Sequence, residues 1–205
     1  HITNGGCTKA DLGPHPICAY SPQLPPDNLG DPYFKKRHNR RYAYIAGAMA
    51  NGITSVRMVQ ETGRAQMLGF FGAAGLSLDK IENAIYSLKK HNLPFGFNLI
   101  HSPNDSELEA AVVHLYLKHE IRLISAPAYL DLTLPLVYFR VHAIHNDQSG
   151  NILCPNRIIA KVSRVEVAEK FLSPPPEKLL TQLVERKMIT TQDAALAALI
   201  PMAED

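Results

Sequence analysis

Two polar side chains stand inside apolar runs, and each is of a type that binds a polar ligand. Asn98 follows Pro94-Phe95-Gly96-Phe97 on the parity opposite Phe95 and Phe97, so in a strand it faces away from them. An amide buried there without partners costs about 1–3 kcal/mol, and a ligand with an adjacent donor and acceptor satisfies both of its groups. Lys161 lies between Ala160 and Val162. A lysine in such company needs a counter-charge, either a protein carboxylate or an anionic ligand. Gly47, Ala48, Met49 and Ala50 end a third apolar run. Small residues let a planar ligand lie against backbone, and they also suit the tapered mouth of a barrel. One amide and one cation around small residues match an isoalloxazine ring, whose N1–C2=O locus becomes anionic on reduction.

Other chemistry is poorly represented. Gly72-Ala73-Ala74-Gly75 lacks the GxGxxG order of a dinucleotide fingerprint. The nine histidines show no HxH or HExxH spacing, so no metal site is expected. His101, in the loop His101-Ser102-Pro103 near the candidate face, reads as solvent-exposed. Three cysteines, Cys7, Cys18 and Cys154, form no CxxC pair, which argues against a disulfide framework or a zinc ribbon and for reduced thiols. A net charge of +2 argues against a nucleic-acid binder or membrane-surface module as the main role. A small or carrier-borne substrate fits better. The 46% hydrophobic content is that of a globular protein with a sizeable core. No apolar run reaches the roughly 20 residues of a membrane helix, nor does His1 to Lys9 read as a signal peptide; the expectation is a cytoplasmic protein.

These residues are spaced by a repeating pattern of elements. Residues 1–42, rich in Pro and Gly, read as an extended arm, ending in the basic cluster Lys35 to Arg41. That cluster reads as a solvated stretch, with a phosphate or carrier-protein contact as the alternative. Strands are expected to start near residues 43, 68, 95, 121 and 157. Between them fall helical patterns: Ile53 to Val59; a helix capped by Ser77; one opened by Pro103 and Asp105, with Leu108, Ala111, Val112, Leu115 and Tyr116 as its buried stripe; and Leu132 to Ala143. After a polar turn at 145–151 and the fifth strand, Ser163 and Glu166 read as a capping box. Pro174-Pro175-Pro176 breaks that helix, and two more follow, the last from about Thr191.

Strand–helix alternation in even, short units indicates a parallel α/β architecture and favours a (β/α)8 TIM barrel over a doubly wound sheet. Units of this size supply about five strands of the eight, so the chain reads as a partial barrel. The divisions expected are an arm at 1–42, five βα units at 43–173 and an accessory helical segment at 174–205. The open sheet would expose two strand edges, which makes association expected, a homo-oligomer included.

Long runs of the chain resemble a known family. Tyr44-Ile45-Ala46-Gly47-Ala48-Met49-Ala50-Asn51-Gly52, Leu68 to Leu76, and Pro94-Phe95-Gly96-Phe97-Asn98-Leu99-Ile100-His101-Ser102-Pro103 are similar to the PfaD-type trans-acting enoyl reductases of bacterial polyunsaturated fatty acid and polyketide synthases. The likeness continues through Ala128 to Leu132, Ile159 to Arg164 and Phe171 to Pro176, as far as Pro201 to Asp205. Nitronate monooxygenases and FMN-dependent enoyl-acyl-carrier-protein reductases are the wider relatives. The resemblance implies FMN held noncovalently at a barrel mouth, NADPH as reductant, and an enoyl thioester on an acyl carrier protein as substrate, with synthase modules as partners. It implies that Gly47, Ala48, Met49 and Ala50 line the flavin, that Asn98 binds its pyrimidine edge, and that Lys161 stabilises charge near N1. The family's Gly-Gly-His segment, which supplies the active-site histidine, and its phosphate loops fall beyond Asp205. Weak or no FMN binding is therefore expected of these residues alone. The competing readings are a nitronate monooxygenase-like flavoprotein and a non-catalytic binding module of a synthase.

Overall fold

Short β-rich runs flanked by amphipathic ones build a parallel sheet with helices against one side. The computed structural model describes residues 21–102 and 106–204, the side chain of Ser106 excepted. In chain order the elements are α1 (Pro32–His38), β1 (Ile45–Ala46), α2 (Val56–Arg64), β2 (Leu68–Phe71), α3 (Leu78–Lys89), β3 (Phe95–Asn98), α4 (Ser106–Lys118) and β4 (Leu123–Pro127). There follow α5 (Leu134–Val141), the hairpin strands β5 (His145–Asn146) and β6 (Ile152–Leu153), then β7 (Arg157–Lys161), α6 (Val165–Leu172), α7 (Glu177–Glu185) and α8 (Thr191–Ala197).

The main sheet runs β1-β2-β3-β4-β7, every neighbouring pair parallel. Strand alternation divides its side chains between two clusters. Leu68 and Phe70 turn to one face, with Ile45, Leu123 and Ile159 beside them. Phe71, Phe97, Ile124 and Ile158 turn to the other, into the helix-covered core with Ile81, Ile85, Tyr116 and Phe139. Helices on one face and a separate small cluster on the other describe a curled half barrel, whose concave interior is filled at depth by Leu68 and Phe70. Gly96 makes room for that filling, since a Cβ there would stand 2.2 Å from the Phe70 ring.

Phe34 completes the concave cluster, and it comes from a helix where an extended arm was expected. Asp31 caps α1 by accepting from the amides of Tyr33 and Phe34, and Pro32 fits its first turn. Lys35 to His38 of the basic cluster fall on its last turn, favourable for the helix dipole, and the cluster is tied down. Lys35 Nζ donates to Asp27 O at 2.7 Å, and Arg41 pairs with Asp27 at 2.7 Å. Pro14, Pro16, Cys7 and Cys18 lie outside the described residues, as do Pro103 and Asp105.

Two further expectations are corrected. Of the stripe expected on α4, Tyr116 is buried and Val112 and Leu115 pack against the core, but Leu108 is 40% exposed and the helix buries Glu109 and Val113 instead. Residues 108–117 are apolar on almost all sides, so periodicity does not choose a face; the partners of Glu109 do. Ser163 and Glu166 form no capping box, because α6 starts at Val165 and its N-cap, Arg164, makes no side-chain cap bond. The reciprocal box stands instead at Thr190 and Asp193 of α8.

Helices α3 and α4 are tied at one end by Glu82, which accepts from His119 Nε2 at 2.6 Å and Lys118 Nζ at 2.9 Å. The His119 bond, and then the Lys118 bond, hold its carboxyl below the usual range. A lowered folded value stabilises above the unfolded pKa, and that stability is lost as pH falls through the folded one. Glu82→Gln should therefore flatten the acid-side fall of the thermal midpoint between roughly pH 5 and 3, most visibly at low salt. An unchanged fall would show that the exposed pair carries no pH-dependent stability.

Candidate functional site

The strand ends and their following loops make one continuous rim. Thr54, fully buried, knits the first part of it. Its Oγ1 donates to Gly47 O at 3.0 Å and accepts from Met49 N at 2.8 Å, folding the β1 end back on itself. The β1 and β2 loops then interlock through Gly52 N to Gly72 O, Gly72 N to Thr54 O, and Asn51 N to Ala74 O, at 2.7–3.1 Å. Sequence reasoning missed Thr54, since a threonine just before the Ser55 helix cap belongs to no motif.

Within this rim the residues singled out by sequence do not all occupy the same place. Gly47 is exposed, with open space where a Cβ would stand, and Met49 is 44% exposed. Ala48 is half-buried and packs toward the Phe34–Phe70 cluster, while the Ala50 carbonyl closes a turn with Ile53 N. Asn98 is buried at the end of β3, and its Oδ1 accepts from Ala73 N at 2.7 Å and from Ala74 N at 3.4 Å. Its backbone carbonyl accepts from Tyr116 Oη at 2.9 Å, and burial pushes that phenol's pKa upward. The expected pairing of both amide groups with a ligand is corrected: the oxygen is engaged by the β2 loop, and only Nδ2 has no partner among the described residues. Lys161 lies opposite Pro127 at the end of β7, on the parity of Ile159 and hence of the concave face. It is exposed rather than buried, and no carboxylate pairs with it among the described residues.

The mouth thus offers an open glycine surface, one amide donor and one unpaired cation. That donor set fits the electron-rich edge of a flavin ring, which presents acceptors and gains negative charge on reduction. Asn98→Asp keeps the acceptor for Ala73 and removes the donor. It should weaken flavin retention about tenfold, the worth of one hydrogen bond, as measured by equilibrium titration of FMN into apoprotein, and lower the thermal midpoint as well, because it places a carboxylate where the side chain is buried.

A second polar group joins the loops behind β3 and β4. Glu109 of α4 is buried, and its Oε1 accepts from Tyr129 Oη at 2.9 Å and from the Thr133 hydroxyl. Its Oε2 meets His101 Nδ1 at 3.1 Å. Burial, and then the Glu109 charge, raise the Tyr129 pKa. His101, expected to be solvent-exposed, is instead 32% exposed and lies against the Tyr129 ring at 5.7 Å.

Comparison with known proteins fits this geometry. No family model matches the chain. PksE, a polyketide biosynthesis protein of Bacillus subtilis, is 41% identical over 182 residues, covering 87% of this chain and 24% of that protein. One component of the polyunsaturated fatty acid synthase of a Thraustochytrium species is 38% identical over 180 residues, 87% of this chain and 12% of that component. The crystal structure of the enoyl reductase domain of MlnA, from the macrolactin cluster of Bacillus amyloliquefaciens, superposes with a TM-score of 0.83 at 43% identity over 88% of this chain. Over most of its own length the chain is thus similar to proteins of polyketide and polyunsaturated fatty acid synthases, in line with the PfaD-type resemblance. It spans 42% of the MlnA domain chain and about a quarter of PksE. The five parallel strands are a partial TIM barrel, and the Asn98–Lys161 mouth lies at the strand C-termini, where barrel enzymes hold their ligands.

Proposed function

We propose that this chain forms the flavin-ring side of an FMN-dependent enoyl reductase, which uses NADPH to reduce the α,β double bond of enoyl thioesters on an acyl carrier protein. The observation that carries the reading is the mouth itself, an Asn98 Nδ2 and a Lys161 that have no partner among the described residues, on a fold shared with an enoyl reductase domain. Bound FMN supplies hydride chemistry between NADPH and the β-carbon of the substrate. Asn98 Nδ2 donates to an acceptor on the pyrimidine edge, and Lys161 offsets negative charge at the N1–C2=O locus. Gly47 and Met49 present the surface the ring lies on, with Ala48 and Ala50 shaping the turn beneath. The same reading takes residues 43–173 as the barrel part and 174–205 as an accessory segment, in a bacterial cytoplasmic protein working beside synthase modules. Among the described residues no helix is long and apolar enough to cross a membrane.

The test is anaerobic reduction of the full-length, flavin-loaded protein with NADPH, followed by a crotonyl-carrier thioester. Recovery of the oxidised flavin band, with butyryl thioester as product, supports the reading. No recovery overturns it, and recovery only with oxygen and an alkyl nitronate replaces it with the monooxygenase reading.

A further inference from the structure

The geometry points to Thr54 as the residue that positions the flavin seat, acting through Gly47, Met49 and the β2 loop without touching the flavin itself; this rests on the FMN reading above. Every polar group of Thr54 is engaged by that seat. Its Oγ1 donates to Gly47 O at 3.0 Å and accepts from Met49 N at 2.8 Å, and its own amide donates to Met49 O at 3.3 Å. Met49 is therefore gripped at both its N–H and its C=O, which leaves its side chain, 44% exposed, to meet a ring. The Thr54 carbonyl accepts from Gly72 N at 3.1 Å, and the next two residues, Ala73 and Ala74, donate to Asn98 Oδ1. One residue thus fixes both the surface the ring lies on and the loop that aims the Asn98 amide.

These bonds do not serve the neighbouring helix. Helix α2 is capped by Ser55, whose side chain accepts from Met58 N, so the hydroxyl one residue earlier is not needed there. Thr54 is fully buried, and a buried hydroxyl costs stability unless its donor and acceptor sides are both used. Here both are used on backbone atoms on either side of Ala48, at the end of a two-residue strand. A strand end held in this way presents Gly47 and Met49 in one arrangement before a planar ring arrives, so binding orders nothing new. Valine has nearly the shape of threonine and neither function of its hydroxyl, whereas serine keeps the hydroxyl and lacks the methyl. The two substitutions therefore separate positioning from packing.

The test compares the full-length wild type with Thr54→Val and Thr54→Ser. Each is stripped of flavin and titrated with FMN, its melting midpoint is measured without flavin, and the visible circular dichroism of the bound flavin is recorded at saturation. Thr54→Val should weaken FMN binding about tenfold, because the ring must then order a strand end that the wild type holds ready, and should alter the flavin's visible dichroic band even at saturation. Thr54→Ser loses a buried methyl, so it should melt lower, yet its FMN affinity should stay within about twofold of wild type with the band unchanged. If Thr54→Val binds FMN as wild type does with the same band, or if both variants lose affinity only in step with stability, the inference falls and the FMN reading stands. If the wild type itself binds no FMN, both fall. Should Thr54→Val fail to fold, Thr54→Ser decides: a lowered midpoint with affinity and band retained supports the proposal, and affinity lost in step with stability overturns it.

Discussion

Gly72→Ala should destroy the mouth. A Cβ at this position would stand 1.7 Å from Met49 O and 2.7 Å from Met49 C, and both are backbone atoms with no rotamer to change. The added methyl must drive the β1 and β2 loops apart. That breaks the Gly52–Gly72 and Gly72–Thr54 bonds and displaces the amides of Ala73 and Ala74 from Asn98 Oδ1. Overpacking of this kind costs about 3 kcal/mol, and here it also removes the partners that aim Asn98. The expected result is a lowered urea midpoint together with loss of retained flavin on gel filtration. Gly47→Ala is the contrast, because nothing lies within 4 Å of its Cβ position. Its stability should change by less than about 0.5 kcal/mol, while its methyl intrudes on the ring's surface and weakens retention. A Gly72→Ala protein that keeps both stability and flavin would mean that the two loops do not meet as described.

The second large effect belongs to Arg140, which is buried in the last turn of α5. Its guanidinium donates to Asn156 O at 2.7 Å, to Pro201 O at 3.1 Å and to Glu204 Oε1 at 3.0 Å. Asn156 in turn donates through Nδ2 to the carbonyls of Phe139 and His142, both at 2.8 Å. One side chain thus clamps the segment after α8 against the start of β7. Arg140→Met fills similar volume but leaves two carbonyls without donors, and should cost about 3 kcal/mol in urea unfolding. Arg140→Lys should recover only part of this, since a single ammonium cannot reproduce the fork that reaches three acceptors. Cys154 is sealed beside this network, its thiol donating to Arg140 O and its pKa raised by burial. It should therefore react slowly with thiol reagents until the clamp is broken.

Local patterns in the sequence are informative where they are unambiguous. The five strands of the sheet are legible because each is a short apolar run between turn signals, and their even spacing implies parallel order. Helix faces are legible where polar and apolar residues alternate cleanly, as on α3, and not on α4, where nearly every residue of the last three turns is apolar. Asn98 stands out because an amide inside an apolar strand is conspicuous. That its oxygen is taken by the β2 loop is not legible, because the donor comes from 25 residues away. Lys161 is conspicuous as a cation between Ala160 and Val162, but its expected burial is not met, since the end of β7 opens to solvent. Glu109, Tyr129 and Thr133 look like ordinary helix and loop residues, and only the meeting of three chain segments makes them a group. Arg140 gives no signal, because its partners lie more than 15 residues away along the chain. Helix α1 is hidden from a proline count, in which Pro32 reads as a breaker, whereas Asp31 before it makes that proline a starter.

A flavin ring held in the concave mouth through the one free group of Asn98 would be visible in a crystal structure of the full-length protein loaded with FMN. The expected complex has Asn98 Nδ2 at about 3 Å from an acceptor on the pyrimidine edge, Oδ1 still on the Ala73 amide, and Lys161 Nζ beside the N1–C2=O locus. A ring seated elsewhere, or an Asn98 amide turned away from it, would show that the mouth is not the flavin site.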